Sequence, residues 1–280
     1  MTISPVPAAS IAGMGITFII ALAAAVAAFY YGWKKLRGRL SSFAFGAIVY
    51  YVVSKLIEPV ISATIIGFTG AAMTGNIVVF AIMAALVAAF FEEGGKFLAM
   101  KTLIHDITEE DAFMYGAGAG VLEALLLTVF PQVGYILNSL LINNGIMEES
   151  LKLLEEPDLT NTYNAIVPLW ETPAISFWMA GFERVIMIVM CISLSLMIYY
   201  YLKEGERRML LFPFAAHFFV TCISTLLMQS AGVIVAELAT LLMVAGIVYY
   251  TLMTRRSVRE QGSEYVSAEA SEDHDDYIDL

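Results

Sequence analysis

The sequence contains few of the residues that a soluble surface or a disulfide framework requires. Charged residues make up only 15% of the 280 positions, and cysteine occurs only twice. Both cysteines fall within apolar runs, so no disulfide framework is expected. Hydrophobic residues instead make up 59% of the chain, and the mean hydropathy is +0.76. This composition predicts a polytopic protein of the cell membrane with a lipid-embedded helical domain.

Basic residues are also scarce compared with acidic ones. The chain has 15 Lys and Arg against 26 Asp and Glu, a net charge of -11. Much of the negative charge lies in residues 148–158 and in residues 260–280. This distribution predicts no nucleic-acid partner, because neither segment is a basic surface.

Long apolar runs predict an all-α transmembrane bundle of seven spans. The predicted spans are residues 10–33, 41–66, 76–101, 111–137, 173–202, 209–230 and 232–253. Each is long enough to cross roughly 30 Å of hydrocarbon at about 1.5 Å per residue. We expect residues 1–256 to form the bundle, with an amphipathic segment, 143–172, on its outer face and a disordered acidic tail, 257–280.

The basic residues predict how the bundle is oriented. Eleven of the 15 fall in alternate loops: Lys34, Lys35, Arg37, Arg39, Lys101, Lys203, Arg207, Arg208, Arg255, Arg256 and Arg259. The positive-inside rule places those loops in the cytoplasm. The amino terminus is therefore expected outside and the carboxyl terminus inside.

Ionisable residues within the predicted spans indicate a functional site. They are Lys55, Glu58, Glu92, Glu93, Lys96, Glu123, Glu183, Arg184, His217 and Glu237. A charged group near the bilayer centre costs about 3 kcal/mol or more, so such groups usually face the bundle interior and pair there. The number present exceeds what folding requires.

Helix rise places four coordinating side chains at one depth. Glu92 and His217 are about 14 Å from the cytoplasmic ends of their spans, and Glu123 and Cys191 about 18 Å. Glu183 and Arg184, about 28 to 30 Å from that side, are expected to form a separate structural layer. The shared depth predicts a site in the cytoplasmic half.

Local spacing adds two expectations. Glu92 and Lys96 are four residues apart on one helix face, so an internal ion pair is expected between them. Gly116 and Gly120 have the small-xxx-small spacing that lets another helix approach closely, and Glu123 follows this contact.

Four motifs resemble those of a known family. They are EEGGK at 92–96, GAGAGVLE at 116–123, FERVIMIVMC at 182–191 and AAHFFVT at 215–221. In order and spacing they resemble the motifs of YhfC-type intramembrane metalloproteases over about residues 40–230. That family is related to the CAAX-processing type II and PrsW-type proteases and, distantly, to the APH-1 subunit of gamma-secretase.

The motifs depart from the family pattern at three positions. Lys96 stands where the family has arginine, and Ala119 and Cys191 stand where it has histidines. His217, the histidine of the last motif, is retained. Two motif histidines are thus replaced.

The resemblance implies hydrolysis of peptide bonds in membrane-embedded substrates, with membrane lipid as the surroundings. The catalytic residues it implies are Glu92, Glu93, Glu123 and His217. The supporting residues it implies are Lys96, Glu183, Arg184 and Cys191. In a metalloprotease mechanism, His217 and Glu123 would hold a zinc ion together with a third ligand, Cys191 or another glutamate. In a metal-free alternative, Glu92 or Glu93 would activate water while His217 stabilises the oxyanion.

Two other functions stay open at this stage. A catalytically inactive relative could bind membrane segments or act as a scaffold, which the missing histidines favour. A cation- or proton-coupled transporter would use the buried acids directly, and the Glu58-Pro59 and Glu237 positions fit that alternative.

Overall fold

The computed structural model describes the backbone of residues 2–70 and 75–275, with side chains described as far as residue 260. The described part is helical and has no strand. Its helices are α1 Ala8–Lys35, α2 Leu40–Thr69, α3 Ile77–Thr102, α4 Glu109–Asn143, α5 Ile146–Leu151, α6 Asp158–Ile166, α7 Pro168–Glu171, α8 Ala174–Glu204, α9 Arg207–Ser230 and α10 Val233–Asp275.

Seven of these helices are long and apolar enough to span a membrane. They are α1, α2, α3, α4, α8, α9 and the Val233–Glu260 part of α10. This confirms the predicted all-α bundle of seven spans. Large exposed side chains such as Phe68, Leu242 and Leu211 lie on its outside, where lipid chains would replace water. The chain is therefore a multi-pass integral membrane protein.

Helix α8 lies at the centre of the bundle. In an apolar 18-residue stretch of α8, half of the residues are buried inside the protein. The buried share of the corresponding stretch is 22% to 28% in the other six spans. Helix α8 packs against α1, α3, α4, α9 and α10. Buried polar residues of α8, such as Arg184, can therefore meet side chains from several helices.

Glycines in α4 bring that helix close to both neighbours. A methyl group added at Gly116 would lie 2.6 Å from Ile192 Cα of α8, and one added at Gly118 would lie 2.0 Å from the Phe43 carbonyl oxygen of α2. Gly120 also faces α8, at Ile188. The close contact predicted for Gly116 and Gly120 is confirmed, and it holds the following turn of α4 against α8.

The first turn of α4 is tied to the α1–α2 connection. The Thr108 hydroxyl and the Asp111 carboxylate form a capping box, and Arg39 donates to both Asp111 oxygens. These hydrogen bonds raise the pKa of the Arg39 guanidinium above its usual range. Asp111, 1% exposed, is thus a buried anchor that fixes where α4 begins.

The segment predicted to be amphipathic, 143–172, contains three short helices, α5 to α7. Its buried side chains are Met147, Leu151, Ile166 and Leu169, which pack with Val6, Met14 and Phe177. Two neighbouring leucines differ, since Leu151 is buried while Leu153 is 84% exposed. Pro157 precedes α6 and Pro168 begins α7, so the segment does not continue as one helix and each short helix buries its own side chains.

At the other end of the chain, the backbone of α10 is helical as far as Asp275, although the sequence predicts disorder from residue 257. The side chains after residue 260 lie outside the described part. The division into a bundle and a tail therefore stays a prediction.

Candidate functional site

A cavity of about 420 Å³ lies between α3, α4, α8, α9 and α10. Its polar lining includes residues from every one of these helices: Glu92, Glu123, Glu183, Arg184, Cys191, His217, Thr221, Ser224, Thr225, Gln229, Glu237 and Thr240. Lys55 and Glu58 of α2 are not among the residues that line it. The structure thus brings most of the predicted site residues to one cavity.

Glu93 is the buried centre of the site. Its side chain is 0% exposed, and its Oε1 lies 2.6 Å from the Lys96 ammonium and 2.7 Å from His217 Nδ1. A carboxylate can be kept inside a membrane bundle when it is paired in this way. Both contacts use Oε1, and Oε2 is buried without a hydrogen-bond partner among the described residues. Glu93 joins α3 to α9 and fixes the orientation of the imidazole.

The predicted ion pair between Glu92 and Lys96 is wrong. Lys96 pairs with Glu93, three residues before it on α3. Both i,i+3 and i,i+4 neighbours can meet on a helix surface, and packing decided between them here. Glu93 and Lys96 are both buried, and Glu93 contacts His217 of α9, whereas Glu92 lines the cavity.

Glu92 lies at the wall of the cavity, with its side chain 16% exposed. Its Oε2 is 4.0 Å from His217 Nε2, the nitrogen that Glu93 leaves free. Its Oε1 accepts a hydrogen bond of 3.0 Å from Ser54 Oγ. Glu92 is therefore an oriented carboxylate that a molecule in the cavity can reach.

Sequence reasoning did not identify Ser54. It lies in a π-helical segment of α2, Tyr51–Ile57, and is 7% exposed. Such segments add a residue to a helical turn and are frequent at functional sites. In the sequence, Ser54 stands out only as a hydroxyl within the segment YYVVSKLIE. Its hydrogen-bond partner, Glu92 of α3, could be identified only from the fold.

Glu123, Glu183 and Arg184 form a second charged group in the same cavity. Arg184 donates to Glu123 Oε1 at 2.8 Å and also to Glu183. The expectation that Glu183 and Arg184 form a separate layer is wrong, because the guanidinium reaches Glu123 on α4. The thiol of Cys191 lies 3.8 Å from Glu123 Oε2.

The fold defines the class: a multi-pass membrane protein, here with a cavity lined by glutamates and a histidine. The chain belongs to the YhfC intramembrane metalloprotease family, whose profile matches residues 18–248. It is similar to the uncharacterized membrane protein YhfC of Bacillus subtilis (strain 168), with 30% identity over 192 residues, covering 66% of this chain and 72% of that protein. No solved structure matches the chain.

The family name implies a metal ion, and the donor arrangement tests whether one fits. A catalytic zinc site normally needs three protein ligands at about 2.0 to 2.3 Å. Within the described residues, no group of three His, Cys, Asp or Glu side chains is placed to hold a metal. His217 Nδ1 is taken by Glu93, and Glu123 by Arg184. The described residues do not fit a catalytic zinc ion.

Proposed function

We propose that this protein hydrolyses peptide bonds of membrane-embedded segments, with Glu92 as the general base. The observation that carries the proposal is the pair formed by Glu92 Oε2 and His217 Nε2, 4.0 Å apart at the wall of the cavity. A water molecule about 2.8 Å from each atom could contact both. The proposed reaction therefore has its acid–base pair and a place for the nucleophile.

The proposed steps need no group beyond these side chains. Glu92 takes a proton from the water while the water oxygen attacks the peptide carbonyl carbon. His217 Nδ1 faces the Glu93 carboxylate, so in the imidazolium form Nδ1–H donates to Glu93 and Nε2–H donates a hydrogen bond to the developing oxyanion. His217 keeps its proton throughout. Glu92 then returns the proton to the leaving amine as the C–N bond breaks.

Glu93, Lys96 and Ser54 act as positioning residues in this scheme. Glu93 holds the imidazole, Lys96 balances the charge of Glu93, and Ser54 holds Glu92. The mechanism distinguishes the two adjacent glutamates, since only Glu92 lines the cavity. Zinc, although implied by the family name, has no assigned step because the donor set does not fit it.

One observation favours a second candidate function, that of an inactive relative that binds membrane segments. Glu123, the acid of the second motif, is paired with Arg184, and Cys191 stands in a histidine position beside it. The same cavity could then hold a peptide without cutting it. Transport of a cation or proton stays an untested alternative.

Cleavage by the full-length protein in lipid nanodiscs tests the proposal. Apolar peptides would be incubated with the protein and with Glu92→Gln, and fragments identified by mass spectrometry. Loss of a general base predicts a decrease in rate of about 100-fold or more. Glu155→Gln, an exposed residue of the α5–α6 loop, is the matched control and should keep the full rate.

Equal cleavage by the protein and by Glu92→Gln would overturn the assignment of the base. Peptide binding without cleavage by the unmodified protein would instead support the inactive relative. Folding of each variant is checked by size-exclusion chromatography and circular dichroism, so that loss of activity is not confused with loss of structure.

A further inference from the structure

We propose that the end of the cavity remote from Glu92 is a subsite for a positively charged group of the substrate, such as a lysine ammonium. This inference rests on the proposed function, since it names the substrate class of the same cavity. Its centre is Glu237 of α10. No step of the proposed hydrolysis uses this residue.

Glu237 is a buried carboxylate with an unused hydrogen-bonding atom. The residue is 9% exposed and lines the cavity, and its Oε2 has no hydrogen-bond partner among the described residues. A buried polar group without a partner is costly, and more so inside a membrane. A cation that enters the cavity would supply the missing partner.

The surroundings of Glu237 favour a cation. Four carboxylates line the cavity, Glu92, Glu123, Glu183 and Glu237, and Arg184 is the one lysine or arginine among its described lining residues. Arg184 is already shared between Glu123 and Glu183. Among the described residues, the Glu237 carboxyl group is therefore left without an ion-pair partner.

The ligand chemistry favours an organic cation over a metal ion. Across the region with described side chains, no three acidic, histidine or cysteine groups are placed to hold a metal. Near Glu237, the hydroxyls of Ser224 and Thr240 already bond one another at 2.6 Å. A lysine ammonium carries its own apolar chain and needs only the carboxylate and one or two further acceptors.

Helix geometry sets the distance from the proposed scissile bond. The Ser224–Thr240 hydrogen bond places these residues at the same level on the antiparallel helices α9 and α10. Glu237 is three residues before Thr240, so on the antiparallel helix α9 it is level with the third residue after Ser224. That position is about ten residues after His217, or about 15 Å along the bundle. An extended peptide covers that distance in about four or five residues.

Binding can be measured without cleavage in the Glu92→Gln background. Fluorescent apolar peptides with a single lysine at successive positions are titrated against the full-length protein in nanodiscs, beside matched peptides with norleucine in place of lysine. At one position we expect the lysine peptide to bind about tenfold more tightly than its norleucine match. Adding Glu237→Gln should abolish that preference.

Equal binding of lysine and norleucine peptides at every position would overturn the subsite, and this comparison needs no change at Glu237. A lysine preference that persists in Glu237→Gln would also overturn it. Binding of Na⁺ or Mg²⁺ that depends on Glu237, without any lysine preference, would assign the carboxylate to an inorganic ion and contradict the proposal.

The cleavage assay separates this inference from the proposed function. A lysine preference in binding, with no cleavage by the unmodified protein, supports the subsite and removes the hydrolytic function. Cleavage that ignores the lysine position supports the hydrolytic function and removes the subsite.

Discussion

His217 Nδ1 lies 2.7 Å from Glu93 Oε1, although the two residues are 124 positions apart in the chain. This contact connects α3 to α9 inside the bundle. It also leaves His217 Nε2 facing Glu92, 4.0 Å away. Adjacent glutamates on one helix thus have different surroundings, one paired and buried and the other open to the cavity.

The ion pair between Glu93 and Lys96 should contribute to stability as a unit. Glu93→Gln or Lys96→Met alone leaves a buried charge without its main partner, which costs about 3 to 5 kcal/mol. The double variant should lose less than the sum of the two single losses. The free energy of unfolding of each variant is measured by circular dichroism during titration with a denaturing detergent. If the loss in the double variant equals the sum of the two single losses, the pairing is contradicted.

Two glycines of the motifs should respond oppositely to alanine. At Gly118 the added methyl group would lie 2.0 Å from the Phe43 carbonyl oxygen, so backbone must move. Gly118→Ala should therefore lower the free energy of unfolding by about 1 to 3 kcal/mol or more. At Gly94 an added methyl group would meet no described residue outside the neighbouring turns of its own helix within 4 Å, so Gly94→Ala should be tolerated or stabilise the helix by up to about 1 kcal/mol.

Thermal unfolding of the two alanine variants in the same detergent tests this pair. Gly94→Ala serves as the matched control, since it makes the same chemical change within a spanning helix. If Gly118→Ala unfolds at the same temperature as the parent protein, the close approach of α2 and α4 is not as described.

Metal removal should leave peptide cleavage unchanged, because the described donor set does not include three ligands for one ion. Treatment with a chelator, followed by elemental analysis and the cleavage assay, measures both quantities. Cys191→Ser should not alter metal content, since the thiol is next to Glu123 and not part of a ligand set. Stoichiometric zinc that disappears in His217→Ala would contradict this prediction.

The orientation predicted from the basic loops can be tested with single exposed cysteines. The native Cys191 and Cys222 are both buried, so an added cysteine can be labelled selectively. In intact cells, a membrane-impermeant maleimide should label Glu155→Cys in the α5–α6 loop. It should label His105→Cys, between α3 and α4, only after the membrane is opened. The reverse pattern would invert the predicted topology.

The sequence by itself determined the class and most of the site composition. Apolar run lengths predict seven spans because crossing the hydrocarbon needs about 20 residues, whatever the packing. The intramembrane charges could also be identified from sequence, since burying a charge is too costly to be incidental. Gly116 and Gly120 indicated a close helix contact because only small residues allow one.

Only the tertiary structure decided which charges meet. Lys96 could reach Glu92 or Glu93 by helical spacing, and the packing of α3 against α9 selected Glu93. Arg184 reaches Glu123 because the two residues lie at about the same level: Gly116 packs at Ile192 and Gly120 at Ile188, which puts Glu123 opposite the turn that contains Arg184. Counting from the helix ends separated them because those ends lie at different depths. Pairing between helices depends on their rotation and tilt, which side chains from the whole bundle set together, so no single span contains that information.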